Sequence, residues 1–283
     1  MEYYVVITAH NEEDFINLCL ESLVLQTLLP KKVIVVNDNS TDNTETIIDA
    51  FANEYGFIDK LNAISSAEHL PGSKVINAFN KGLALLDDHY DFIVKLDADL
   101  ILPTNYFESI AATFKNDPTI GVAGGFIYET TESGDWVINH PMNKNHVRGA
   151  FKAYSKKCFE AINGLQCAMG WDTVDELLAT YHGFKISTIP DLQVKHLRPT
   201  GASYNKKAKL LQGKAMYTMR YGMAISAIAS AKMALKQGKL KVFKDNMMGY
   251  FNAKREKTPF LVTKAEGKFI REYRWKNILK KIF

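Results

Sequence analysis

Phe92-Ile93-Val94-Lys95-Leu96-Asp97-Ala98-Asp99 decides the fold. An apolar run ends in two carboxylates one residue apart. A short apolar run bounded by polar residues reads as a buried strand. Side chains two apart on an extended chain point the same way, so Asp97 and Asp99 are expected to face one point beyond the strand's C-terminal end. In open α/β sheets that rim is where ligands bind. Adjacent carboxylates repel, and a hard divalent cation held together with substrate phosphates relieves the repulsion. The pair also reads, more simply, as two solvated aspartates opening a loop. The surrounding chain chooses between these readings.

The same unit recurs upstream. Tyr3–Thr8 is a β-rich apolar run broken by Ala9-His10-Asn11. Asn11-Glu12-Glu13-Asp14 is expected to open a helix with first-turn acids. Val33–Val36 is a second buried strand, stopped by Asn37-Asp38-Asn39-Ser40-Thr41-Asp42-Asn43-Thr44. Asp and Asn favour turns because their side chains bond nearby backbone. A helix to about Glu54, a strand within 57–64 and a helix over 74–86 precede Phe92. Alternating strands and helices predict an α/β fold: a mostly parallel sheet, flanked by helices, with right-handed crossovers. Asp38 and the Asp97/Asp99 pair then share one rim, where a nucleotide fits. No GxGxxG or GxxxxGK[ST] is present, which disfavours dinucleotide and P-loop folds.

Beyond Asp99, a helix over 103–115 starting at Pro103, a strand at 120–125 and a strand at 148–154 are expected, with 129–147 between them as a mobile site loop holding His140 and His146. Gly170-Trp171-Asp172-Thr173-Val174-Asp175-Glu176 leads into a helix ending near Gly183, and 190–196 reads as a last strand ending in His196. Asp175 and Glu176 also read as first-turn helix acids, and His196 as a surface residue.

The balance of 47% hydrophobic and 23% charged residues excludes a disordered chain. Cys19, Cys158 and Cys167 lack metal spacing and are expected to be reduced and buried. No signal peptide or spanning helix is expected. Charge is uneven. Residues 201–283 hold 20 of the 35 Lys and Arg but 4 of the 31 Asp and Glu, which leaves 15 against 27 in residues 1–200. The acidic part suits a metal and argues against nucleic acid. The basic part suits an anionic surface.

These motifs, in this order, resemble the family 2 glycosyltransferases over about residues 3–200. The resemblance implies a GT-A fold, inversion, and a nucleotide-sugar donor. Thr8-Ala9-His10-Asn11-Glu12 looks like the family's first nucleotide-contacting turn, Pro-Ala-Tyr-Asn-Glu, with Thr8 and His10 departing from it. Residues 37–44 look like its Asp-Asp-Gly-Ser-Thr-Asp-Gly-Thr, which places Asp38 at the uracil base. Asn80-Lys81-Gly82 resembles its Asn-x-Gly, with Phe79 where an Arg usually stands. Asp97-Ala98-Asp99 matches its metal-binding Asp-x-Asp, and His196 a histidine that completes the metal site in some members. The family's base lies in a Glu-Asp pair eleven residues before a helix-ending glycine. Counting from Gly183, that is Asp172, with Trp171 in place of Glu and with Asp175 or Glu176 as fallback.

The resemblance implies a cofactor, Mn²⁺ or Mg²⁺, on Asp99 and His196 with help from Asp97. The implied partners are a UDP-sugar donor and a saccharide or lipid-linked saccharide acceptor in surface-glycan synthesis. The alternatives are a nucleotidyltransferase of similar topology and a non-catalytic scaffold. The expected organisation is a catalytic domain over 1–200, its nucleotide half about 1–100 and its acceptor half about 101–200, followed by a basic helical region over 201–283. Ala208–Lys236 carries Leu211, Ala215, Met219, Met223, Ile225, Ile228 and Leu235 with Lys and Arg between them, a helix-rich pattern. Residues 271–283 form a basic amphipathic stretch suited to an anionic membrane surface. The expected location is the cytoplasm, peripheral to the inner membrane face.

Overall fold

The computed structural model describes residues 1–65, 72–131, 133–138, 146–198 and 208–280. They fall into two compact units. The first draws on Met1–His69, Lys74–Leu165 and His182–Thr200; the second on Leu70–Ser73, Gln166–Tyr181 and Gly201–Phe283. The expected boundary at 200/201 lies outside the described residues.

The first unit is an α/β layer structure. Its nucleotide half runs β1 (Tyr3–Ala9), α1 (Ile16–Val24), β2 (Lys32–Asp38), α2 (Thr44–Glu54), β3 (Ile58–Ala63), α3 (Ser73–Leu83) and β4 (Phe92–Asp97). The four strands pair in parallel in the order β3-β2-β1-β4. β1, β2 and β4 are mostly apolar and buried because helices cover them, while the edge strand β3 alternates buried and exposed positions. Helix α3 lies very close to the sheet: a Cβ on Gly82 would sit 2.6 Å from Val6 and 2.8 Å from Val36 side-chain carbons. Phe79, where the family usually has Arg, is fully buried and packs edge-on against Phe159.

The second half continues with β5 (Leu100–Ile101), α4 (Tyr106–Asn116), β6 (Ile120–Thr130), β7 (Trp136–Ile138), β8 (Phe151–Ser155), α5 (Lys156–Ala161) and, after the excursion to the second unit, β9 (Lys185–His196). The sheet runs on as β4-β8-β6-β9-β5. It is mixed: β8 is antiparallel to both β4 and β6. Among the described residues no helix lies between β6 and β8, and strands joined without a crossover helix return antiparallel. The stretch expected to be a mobile loop starts as structure. Glu129 and Thr130 end β6, and Trp136–Ile138 returns against it as β7; residues 139–145, with His140, lie outside the described residues. Strand β9 starts five residues earlier than expected. Its Pro190 lies in an irregularity opposite Gly125, where a Cβ would meet the Leu192 carbonyl oxygen at 2.2 Å.

The second unit holds α6 (Trp171–Tyr181), α7 (Ala208–Thr218), α8 (Gly222–Gln237), α9 (Leu240–Arg255) and α10 (Lys264–Leu279). The helix-rich stretch 208–236 forms two helices, α7 and α8, rather than one. Arg220 adopts a left-handed φ of 56°, and its guanidinium lies over the Phe260 ring while Nε donates to the Val262 carbonyl. Of the cysteines, Cys19 and Cys158 are buried, but Cys167 is exposed, contrary to expectation. Among the described residues no helix is long and apolar enough to cross a membrane.

Candidate active site

The strand register assembles one rim. Thr8 pairs with both Val36 and Asp97, Ala9 with Asn37, and Asp38 with Ala63. The C-terminal ends of β1, β2 and β4 are therefore level.

The first two turns are stitched together rather than spent on helix caps. Asn11 has a left-handed φ of 55°, and α1 starts only at Ile16, after a turn in which Phe15 and Ile16 N–H donate to the Glu12 carbonyl, so Glu12–Asp14 are not its first turn. The backbone N–H groups of Asn11, Glu12 and Glu13 donate to Ser40 Oγ (3.0 Å), Thr44 Oγ1 (2.7 Å) and Asp42 Oδ2 (3.2 Å). In return, Thr41 N–H donates to Asn11 Oδ1 and Asn43 N–H to Glu13 Oε2. His10 is exposed, and its Nδ1 lies 2.5 Å from the Asp38 carbonyl oxygen. Asp38 is buried, and its Oδ1 has no hydrogen-bond partner among the described residues. A buried acceptor left without a donor is costly. It marks a place where a ligand N–H fits. Asn80 stays half-buried near the end of α3.

The two aspartates do different work. Asp97 is ion-paired with the buried Lys95 two residues back, on the same side of β4. Asp99 turns instead to His196: Oδ2 lies 3.2 Å from Nε2. Strand β5 brings them together, since Leu100 pairs with His196 in the β9 register. The other ring nitrogen, Nδ1, lies 3.3 Å from Glu129 Oε1. Burial would lower the His196 pKa, but the Asp99 and Glu129 carboxylates outweigh it and hold it above the ordinary imidazole value. Glu12 lies nearby, its carboxylate 2.7 Å from an Arg198 guanidinium nitrogen. Burial pushes Glu12 up to about 7 against the pull of Arg198.

Among the described residues, no cluster of three or more His, Cys, Asp or Glu side chains is arranged to hold a metal ion. The donor chemistry nevertheless fits a hard cation carried with a diphosphate. Asp99 offers a carboxylate, and His196 offers Nε2 from a ring oriented by Glu129 at its far nitrogen, the usual carboxylate–histidine support of a metal ligand. Glu129, Lys95 and Arg198 escaped the sequence reading. A lysine inside an apolar strand, two residues before an aspartate, was a legible signal; Glu129 was not.

Within the second unit, Asp172 occupies the first turn of α6, and its charge helps raise the pKa of the buried Tyr221 hydroxyl, after burial itself. That hydroxyl also accepts a 2.6 Å hydrogen bond from Arg274. Asp175 and Glu176 are not solvated first-turn acids. Helix α6 starts at Trp171, which puts them in its second turn, 2% and 8% exposed, with Glu176 N–H donating to Asp175 Oδ1. Trp171 is buried, and Gly183 follows the helix with a left-handed φ of 86°.

A level rim of parallel strands, an acidic turn after β4 and a histidine at the end of β9 thus meet in one α/β unit. The sequence model of the family described as Glycosyl transferase family 2 matches residues 4–176, and the chain belongs to that family. It is 29% identical over 122 residues to the poly-beta-1,6-N-acetyl-D-glucosamine synthase of Staphylococcus aureus (strain MSSA476), covering 42% of this chain and 27% of that one. The matched stretch thus spans about a quarter of the relative. S. aureus TarS 1-349, solved with UDP-GlcNAc, superposes with a TM-score of 0.57 at 17% identity over 75% of this chain and 65% of its own. The mannosyltransferase PcManGT from Pyrobaculum calidifontis, solved with GDP-Man and Mn²⁺, gives 0.58 at 16% over 98% and 80%. Both share the GT-A fold with this chain.

Proposed function

We propose that the chain transfers a sugar, with inversion, from a UDP-sugar to a saccharide or lipid-linked saccharide in surface-glycan synthesis, assisted by Mn²⁺ or Mg²⁺. The observation that carries this is the convergence of Asp99, His196 and Glu129 beyond the strand that ends at Asp97. Family membership argues against the nucleotidyltransferase alternative, and the nucleotide titration below separates transfer from a non-catalytic scaffold.

Asp38, with its unpartnered Oδ1, accepts the imide N–H of uracil. Thr8–Glu12 and Asn80 line the nucleotide. Asp97, already neutralised by Lys95, faces the donor rather than carrying the ion. Asp99 and His196 would hold the cation. A divalent ion so held supplies charge neutralisation for the departing diphosphate. Asp172 accepts the proton of the acceptor hydroxyl as that oxygen attacks the anomeric carbon opposite the leaving group. The polysaccharide synthase relative supports a glycan acceptor, and the UDP-GlcNAc complex of TarS supports a uridine donor.

Titrating UDP into the protein with Mn²⁺ and then with EDTA tests the reading. Binding that requires the metal and is lost in Asp99→Asn supports it. Binding of GDP alone keeps the enzyme class and overturns the choice of donor. Silence with every nucleotide overturns the site.

A further inference from the structure

The helical hairpin of α8 and α9 ends in an unburied tip. Gly238, with a left-handed φ of 62°, ends α8 and lets the chain reverse. Leu235 and Leu240 flank it at 83% and 76% exposure. Every residue from Leu235 to Lys241 is exposed, and none from Leu235 to Asp245 is buried. The reason lies in where packing stops. The hairpin's last buried positions are Ala234 on α8 and Asn246 on α9. Just beyond Asn246, α9 presses backbone to backbone on α7: a Cβ on Gly249 would sit 2.0 Å from the Leu210 carbonyl oxygen. The helices are thus anchored at their base and bare at the turn.

The charge around the turn is positive, with Asp245 beyond Lys244 as the first acid along α9. Lys232, Lys236, Lys239, Lys241 and Lys244 surround the two leucines, and the chain holds no Asp or Glu from Gly201 to Lys244. The exposed face continues up α9 through Lys244, Met248 and Phe251, spaced as neighbours on a helix. Exposed leucines within a lysine collar match the composition of surfaces that lie in the headgroup boundary of an anionic bilayer. Lysine stems lie along the apolar surface while their ammonium groups reach lipid phosphates.

The terminal helix α10 is a poorer match, although its sequence is basic and amphipathic. Its Ile270 is fully buried, Phe269 packs edge-on against Tyr181 of α6 and stacks with Tyr273, and Glu266 and Glu272 interrupt its positive charge.

We propose that the α8–α9 tip is a membrane-docking element. It seats Leu235 and Leu240 at the headgroup–acyl boundary of an anionic bilayer, with the five lysines on its phosphates. The partner is the lipid surface. No donor or acceptor enters the test, so its failure is separate from failure of the transfer reading.

The test is flotation of the full chain with vesicles of phosphatidylcholine alone or mixed with phosphatidylglycerol. Flotation with the anionic vesicles only, weakened by salt, is expected. Leu235→Ser/Leu240→Ser and Lys236→Glu/Lys241→Glu are each expected to reduce partitioning about tenfold or more, with unchanged thermal melting. Trp275→Ser/Leu279→Ser on α10 is expected to float like the parent. No flotation of the parent at low salt, undiminished flotation of the hairpin variants, or loss in the α10 variant each overturns the proposal. So does retention on an RNA or DNA oligonucleotide without flotation, which would assign the lysines to nucleic acid.

Discussion

Glu129 Oε1 lies 3.3 Å from His196 Nδ1 because the two residues are register partners in the parallel pairing of β6 and β9. The contact fixes the ring so that Nε2 faces Asp99. Removing an orienting partner of this kind costs about 10–100-fold in metal affinity. Glu129→Leu is therefore expected to weaken Mn²⁺ binding in the presence of UDP by that factor. Glu129→Gln, which keeps an acceptor, falls between. Calorimetric titration of Mn²⁺ into each variant measures it, and equal affinities would detach Glu129 from the site.

Glu12 gives the protein a pH dependence with a definite sign. Its folded pKa, about 7, stands above the ordinary glutamate value of 4.5. Between these values the folded state binds more protons than the unfolded state, so this group's contribution to stability falls as pH rises through that window. It is fully present below about 4.5 and lost above about 7. Glu12→Gln is expected to flatten the slope and to gain on the order of 1–3 kcal/mol at pH 8 relative to the parent, compared with pH 4. Urea midpoints at the two pH values decide it.

Asp172 and Asp175 separate chemistry from folding. Asp172→Asn is expected to leave metal-dependent UDP binding intact and to lower transfer by about 10²–10⁴-fold. Asp175→Asn alters a buried, hydrogen-bonded group and is expected to cost about 1–3 kcal/mol of stability. Product release assays and thermal melts give the two readouts. Full transfer by Asp172→Asn would move the base to Asp175.

Gly82 tests the seating of α3. An added methyl there meets Val6 and Val36 well inside contact distance, so Gly82→Ala is expected to destabilise by about 1–3 kcal/mol. Gly56, with nothing within 4 Å of its would-be Cβ, serves as control; Gly56→Ala is expected to stay within about 0.5 kcal/mol. Chemical denaturation compares the pair.

The nucleotide half was legible because β1, β2 and β4 are largely apolar runs closed by turn residues, and those signals are local; the edge strand β3 mixes polar and apolar residues. The same locality explains the errors. Asn11 and Glu12 carry a helix-start pattern, yet their N–H groups find Ser40 and Thr44, about thirty residues away. Pro190 suggested a strand start, but an irregularity opposite Gly125 absorbs it. Asp175 and Glu176 read as first-turn helix acids, but α6 starts at Trp171, which puts them in its second turn, and packing buries them.

By itself, the sequence determined the strand–helix alternation, the acidic turn at Asp97 and Asp99, and the charge division between residues 1–200 and 201–283, because these depend on residue type and near spacing. Tertiary structure alone decided that β8 runs antiparallel, that Lys95 takes Asp97 while Asp99 takes His196, and that Glu129 stands behind the ring. Those outcomes depend on strand register and on which charge lies nearest once water is excluded, and neither is encoded within a few residues of chain.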